Sequence, residues 1–355
     1  MQLLTKIFIA LFISTAIFSQ CDKKKIIEPD VPKNPRQYSW TMDTLAYPES
    51  FQTSMREIWG SSANNVYVVG HNSQGSNGIM FHFNGTIWYD VKLGINHGGL
   101  IPGAIDLRAI FGFAVDDIWA VGHRYKNNPT PPPNYLRLSL IIHYDGNQWR
   151  EFEVEGGNSL QDVWGYSPTD VWAGGIEGTL FHFNGTSWET IDMPQNNWFF
   201  SFSGFSENDI HAVAYEFDSL SVSTYYYMQW DGSEWKIEDK FKESHQYPDK
   251  FGINLFAVED QLFSAGDGIF QKTSSGWERI FYEPHTYLRD IKGSSTDNLF
   301  AVGNFGAVYH FNGQDWHRFN QFASNEIHYN ASWTDDKEVF IVGVGNGKSY
   351  VLHGK

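Results

Sequence analysis

Residues 163–191 read VWGYSPTDVWAGGIEGTLFHFNGTSWETI, and they form one unit of a repeat. A turn follows Gly165, a strand is expected over Asp170–Gly174 and a second over Thr179–Phe183. An Asn184-Gly185 turn then leads to a strand opening at Trp188. Asn-Gly between apolar runs is the strongest short hairpin signal, because a type I′ turn requires φ > 0 at both central positions. A motif that recurs at this scale sets the architecture, so the repeat is read before anything else.

Working outward, the same unit recurs at Ile58–Trp88, Ile110–Trp149, Phe202–Trp235 and Ile291–Trp316, with a degenerate copy at Leu255–Trp277 that ends in SSGW. A last copy starts at Trp333 and stops at Lys355 without its NGxxW strand. The missing piece stands at the other end: Ser39–Thr44, SWTMDT, resembles Ser187–Asp192, SWETID. Six complete units and one assembled from both termini predict an all-β, seven-bladed β-propeller of four antiparallel strands per blade, closed by an N-terminal strand that completes the last blade. Closure removes the sheet edges that an open array would expose.

Composition agrees with many short strands and turns: 17% of the 355 residues are aromatic, with 14 Trp and 33 Gly. The net charge of −16 argues against nucleic acid, which is gripped through Lys and Arg on phosphate. The single cysteine, Cys21, leaves no intramolecular disulfide and no cysteine-based zinc site. Residues 1–20 carry Lys6 and then an apolar run from Ile7 to Phe18, which reads as a signal peptide. That run is shorter than the ~20 residues a membrane-spanning helix needs. Residues 21–37, with Pro29, Pro32 and Pro35, read as a tethering linker, and 38–355 as the propeller. The order apolar run, Cys21, Asp22-Lys23-Lys24-Lys25 resembles a bacterial lipoprotein signal. That resemblance implies acylation of Cys21 and an extracytoplasmic chain anchored to the bacterial membrane. Ordinary cleavage after Ala16, giving a secreted chain, is the alternative.

The repeats resemble tectonin-type propellers and the WGS…DVWAVG…HxDGxxW repeats of bacterial surface propellers, and the NGTSW and DGSEW turns resemble a relaxed Asp-box. This likeness implies glycan or protein binding. It names no reaction, since fold alone licenses no chemistry. No catalytic signature is found and the arginines read as few and scattered, so no catalytic residue, metal or cofactor is expected. One His per blade (His82, His143, His182, His310, His353), replaced by Gln229 and Gln271 in two blades, reads as a hydrogen bond between strands. A ring of imidazoles one blade apart cannot close on a zinc ion at ~2 Å. The repeated tryptophans read as blade packing, and Asp117, Asp170, Asp209 and Asp297 as turn formers.

What varies between units is where function is sought. In an up-and-down blade, second-to-third loops and blade-to-blade connections share one face, and all the long insertions fall there. That rim carries the ligand-binding candidates Tyr125, Tyr135, Asn197, Trp198 and Tyr225, and beyond them Tyr247, Tyr282, His285, Tyr287 and Tyr329. Aromatic faces stack on sugars and anchor protein partners. The expectation is a monomeric, non-catalytic binding module that holds a glycan or an envelope protein. The alternatives are a glycoside hydrolase or lyase in the central cavity, or a scaffold in an envelope complex.

Overall fold

The computed structural model describes residues 33–48, 50–75, 77–193, 197–217, 222–243 and 250–355. The signal peptide, Cys21, most of the linker and Tyr247 lie outside the described residues.

Strand β1 (Trp40–Leu45) precedes six whole blades. Blade I holds β2 (Thr53–Ser62), β3 (Asn65–Asn72), β4 (Met80–Phe83) and β5 (Trp88–Asp90). Blade II holds β6 (Ile105–Ala114), β7 (Asp117–Asn127), β8 (Tyr135–Tyr144) and β9 (Trp149–Phe152). Blade III holds β10 (Leu160–Ser167), β11 (Asp170–Gly175), β12 (Leu180–Phe183) and β13 (Trp188–Thr190). Blade IV holds β14 (Trp198–Ser206), β15 (Asp209–Phe217), β16 (Ser223–Trp230) and β17 (Trp235–Glu243). Blade V holds β18 (Asn254–Val258), β19 (Gln261–Gly266), β20 (Gly268–Thr273) and β21 (Gly276–Phe281), so the degenerate repeat still makes four strands. Blade VI holds β22 (Leu288–Ser295), β23 (Asn298–Gly303), β24 (Ala307–Phe311) and β25 (Trp316–Arg318). Blade VII holds β26 (His328–Thr334), β27 (Val339–Gly345) and β28 (Lys348–Gly354), and β1 completes it in the order β1-β28-β27-β26.

The closing strand pairs antiparallel from Trp40↔Gly354 to Leu45↔Ser349. Ser39 and Lys355 exchange backbone hydrogen bonds of 2.9 and 3.1 Å beyond it. The Trp40 ring packs edge-on against Phe319 and Phe322, with centroids 5.2 and 4.9 Å away.

The core is seven apolar clusters, one per blade interface, as in the one between blades II and III, where Val121 and Ile141 meet Leu160, Val163 and Phe181. The tryptophan that opens each outer strand packs against the preceding blade. Trp188 meets Trp119 edge-on at 5.4 Å, Trp235 meets Trp172 at 5.3 Å and Trp277 meets Tyr227 at 5.2 Å. These rings lock neighbouring blades, as their period suggests.

The histidines bond across strands, and their partners are the residues that open each second strand. His143 Nε2 lies 2.7 Å from Asp117 Oδ1, and His182 Nε2 lies 2.7 Å from Asp170 Oδ1. His82 meets Asn65 at 2.6 Å and His310 meets Asn298 at 2.9 Å. Where Gln replaces His, Gln229 Nε2 donates to Asp209 at 2.6 Å. Asp117, Asp170 and Asp209 are therefore cross-strand acceptors rather than turn formers, whereas Asp297 does sit in a turn and accepts from Ser295 at 2.6 Å. Each imidazole also lies against the aromatic ring between these partners, as His182 stacks on Trp172 at 4.2 Å. His182→Gln should therefore cost less than ~1 kcal/mol. His182→Leu, which strips a donor from a half-buried carboxylate, should cost ~1–3 kcal/mol. Chemical denaturation of the two variants checks this.

The Asn-Gly and Asp-Gly turns differ from the type I′ expectation. Gly85, Gly146, Gly185, Gly232 and Gly313 have φ of 84–90°, but no Asn or Asp before them does. That residue instead turns its side chain inward: Asn184 Oδ1 accepts from the N–H of Thr186 at 3.0 Å and of Ser187 at 3.1 Å. This Asx geometry explains why Asn and Asp alternate freely there.

Candidate functional site

Six of the seven first-to-second turns leave two residues between their strands, from 63–64 in blade I to 296–297 in blade VI. The opposite face carries the long segments, including 91–104 and 128–134. The elaboration therefore falls on one face.

Two hairpins dominate that face. In blade II, β7 and β8 stay paired out to Asn127↔Tyr135. In blade IV, β15, β16 and β17 stay paired out to Phe217↔Ser223 and Ser223↔Glu243. Blade III between them turns back within 176–179. Side chains alternate along a strand, so Tyr125 shares with Val121, and Tyr135 and Arg137 share with Ile141, the face that packs on blade III. Those three residues, with Gly157, Asn158, Ile176 and Glu177, line a groove. Across the short loop, Glu216, Thr224, Tyr226, Lys240 and Lys242 line a second groove. There the Tyr226 hydroxyl donates to Glu216 at 2.9 Å, and burial first, then Glu216, pushes the phenol up to about 12. The result is a cleft floored by blade III, with tyrosines and a guanidinium on one wall and an acid and two lysines on the other.

The other rim candidates do not join this cleft as one patch. Tyr125 (38% exposed) and Tyr135 (59%) stand together on the blade II hairpin. Tyr282 and His285 are exposed in the connection between blades V and VI, and the Arg279 guanidinium lies 5.1 Å from the Tyr282 ring centroid. Trp198 is half-buried, edge-on to Tyr215 and Phe217. Asn197, Tyr225, Tyr287 and Tyr329 are buried, which corrects the expectation that they present a ligand surface. Tyr225 is stacked between Tyr215 and Phe241, and Tyr329 sits in the core between blades VI and VII. They hold long segments onto the ring.

The sequence reading named a central cavity but missed the residues that line it. In six innermost strands the register slips by one residue near the start, and the skipped residues are Arg56, Arg108, Gln161, Phe200, Arg289 and Asn330. A bulge re-aims a side chain. The arginines are thus not scattered. Three occupy one equivalent position, visible as MREI, LRAI and LRDI once the strands are aligned. Arg56 and Arg108 meet at the buried Asp106, at 2.6 and 3.4 Å. Arg289 reaches Asn304 at 2.8 Å and Asn330 at 2.6 Å.

Further along the channel, toward the short turns, all seven innermost strands line a cavity of about 370 Å³. Side chains around it cap the backbone of the next blade. Asp162 accepts from the N–H of Phe202 at 2.7 Å, Ser201 from that of Leu255 at 3.0 Å, and Asp290 from that of Ser332 at 2.7 Å. Glu57, Asp162 and Asp290 share one cation, Lys292, whose Nζ is 3.5 Å from Asp290. Burial pushes Glu57 up to about 8, helped by Asp290, and pushes Asp162 up to about 7. For Lys292, burial works against the ammonium, but Asp290, Glu57 and Asp162 outweigh it and raise its pKa. Among the described residues no three His, Cys, Asp or Glu side chains stand close enough together to hold a metal ion.

No protein-family model matches the sequence, and no curated protein does either. Solved structures share the fold. YCF48 bound to D1 peptide superposes with a TM-score of 0.62 at 14% identity, over 90% of this chain and 97% of that one. YCF48 from Cyanidioschyzon merolae gives 0.54 at 12% identity, over 88% and 98%. The WD40 propeller domain of Doa1 gives 0.56 at 11% identity, over 89% and 97%. The chain is a seven-bladed β-propeller, and at these identities the likeness carries the fold alone.

Proposed function

We propose that the chain is a non-catalytic binding module that holds an extended polypeptide segment of an envelope protein in the cleft over blade III. The observation that carries this reading is the blade II hairpin. Pairing of β8 with β9 begins at Ile141, so the outer edge of β8 from Tyr135 to Leu140 is not covered by β9. The bond from Asn128 N–H to Asn134 C=O places even-numbered residues of this strand toward β7. The backbone of Tyr135 and Arg137 therefore faces the open edge, the geometry of strand addition. A structural neighbour carrying a peptide supports a polypeptide over other ligands. A glycan is the second reading, favoured by the exposed rings of Tyr125 and Tyr135. Tectonin-like or Asp-box kinship would suit either ligand. The hydrolase alternative loses support because Asp162 and Asp290 are engaged in holding blades together.

Peptide and glycan arrays probed with the chain separate the two. Tyr135→Ser should weaken either ligand at least tenfold without shifting the unfolding midpoint. Arg137→Pro removes an outward N–H that strand addition needs and an edge strand tolerates losing. It should abolish peptide capture, whereas unchanged capture would remove the strand-addition reading. We further propose that the module is extracytoplasmic and anchored through acylated Cys21. Cys21→Ser should abolish incorporation of labelled fatty acid and release the chain from the membrane fraction. Incorporation that persists in the variant would rule out this anchor.

A further inference from the structure

We propose that the central cavity is a second binding site, separate from the cleft, and that it takes a single ammonium group. Its volume of about 370 Å³ falls within the ~300–1,000 Å³ typical of small-molecule sites. The wall is aromatic: Trp59, Phe111, Trp164, Phe256 and Trp333 come from five different blades. The indoles are held by close contact with the next blade. A Cβ on Gly112 would come within 2.7 Å of Trp59, on Gly204 within 3.0 Å of Trp164, and on Gly60 within 3.0 Å of Trp333.

Charge decides the class of ligand. Three carboxylates, Glu57, Asp162 and Asp290, stand against one lysine. Lys292 leans toward Asp290 and over the Phe256 ring, 5.6 Å from its centroid, on the side of blades V and VI. The channel arginines lie elsewhere along the bore, Arg56 and Arg108 at Asp106 and Arg289 with two asparagines, and the charges that act on Glu57, Asp162 and Lys292 are one another's and Asp290's, not theirs. Glu57, Trp59, Asp162 and Trp164, in blades I and III, therefore carry no cation of their own. Asp290 is buried, and its Oδ1 has Lys292 Nζ at 3.5 Å, so the lysine is committed to this carboxylate. A bound ammonium would bring the cavity closer to neutrality, and the indole faces would add cation–π attraction. It would also draw the raised Glu57 and Asp162 carboxyls back toward their charged forms, so binding would release protons. The same group could arrive as a free amine or on a lysine side chain.

Calorimetric titration of the chain at pH 7.5 with methylammonium, tetramethylammonium, Nα-acetyl-lysine methylamide and neutral neopentyl alcohol tests this. Repeating it in two buffers of different ionisation heat reads the protons released. The cations should bind with proton release, and the neutral isostere should not bind. Preference for the lysine amide over methylammonium would assign the source to a polypeptide, and the reverse preference to a free amine. Glu57→Gln should weaken the cations at least tenfold and reduce the proton release, with the unfolding midpoint kept as a control. Absence of cation binding, equal binding of neopentyl alcohol, or a folded Glu57→Gln chain with unchanged affinity and proton release would overturn the proposal.

Discussion

A chain that begins at Tyr47 is expected to lose its cooperative unfolding transition and to associate, whereas one that begins at Lys33 behaves as a single folded body. The first lacks β1, whose six residues pair with β28 from Trp40↔Gly354 to Leu45↔Ser349. Its removal bares the edge of a seven-residue strand, a template for another chain. It also takes away the buried Leu45 from the interface between blades VII and I, and the Trp40 ring from its place against Phe319 and Phe322. Trp40→Ala alone isolates the packing part. Large-to-small changes of this kind cost ~3–5 kcal/mol when the ring is fully enclosed, and the half-buried Trp40 belongs at the lower end. Denaturant midpoints and sedimentation of the three chains check the ordering wild type, Trp40→Ala, truncation. A truncated chain as stable and as monomeric as the wild type would remove the closing strand from the account.

The second large effect belongs to Lys292. Replacing it by Met leaves Glu57, Asp162 and Asp290 with no cation in the cavity. Breaking a fully buried pair from one side costs ~3–5 kcal/mol, and the half-buried Lys292 beside the buried Asp290 belongs at the lower end. The loss should be largest above pH 8 and shrink toward pH 5, where Glu57 and Asp162 are protonated. The direction follows from Glu57, whose pKa rises from an ordinary 4.5 to about 8 on folding. Between those values the folded chain holds a proton that the unfolded chain has released, so stability falls as pH rises through this window. Glu57→Gln keeps the shape without the titration. It should stabilise the protein at pH 9, change little at pH 5, and partly rescue Lys292→Met. A Lys292→Met defect independent of pH would contradict this electrostatic reading.

Periodicity exposed most of the architecture. The seven units, the closure by SWTMDT and the side on which insertions gather are all present in the spacing of Gly, Trp and Asn-Gly. Bulges were not legible, because a one-residue slip redirects a side chain without changing composition. Arg56, Arg108 and Arg289 therefore looked unrelated until the pairing registers aligned them. The rim was misjudged where strands run longer than their motif. Tyr225 read as a rim residue, yet Tyr215 and Tyr225 face each other across a ladder in blade IV and are buried there. Tyr125 and Tyr135 also lie on extended strands, but near the tip of their hairpin, and remain exposed. The partners of the repeated histidines were visible as residues but not as pairs, since Asn65, Asp117, Asn298 and Glu338 share a position and not a side chain.

The claim that ligand recognition lives on the elaborated face is tested most directly by comparing two triple variants for ligand capture. Tyr125→Ser/Tyr135→Ser/Arg137→Ser alters the cleft. Ile87→Ser/Val115→Ser/Tyr166→Ser removes three side chains that are 59%, 57% and 50% exposed at the uniform, short-turn end of blades I to III. The account predicts that the first loses capture of whatever the wild type retains and that the second retains it, with both folded. Loss in the second and retention in the first would place recognition on the opposite face and contradict the account.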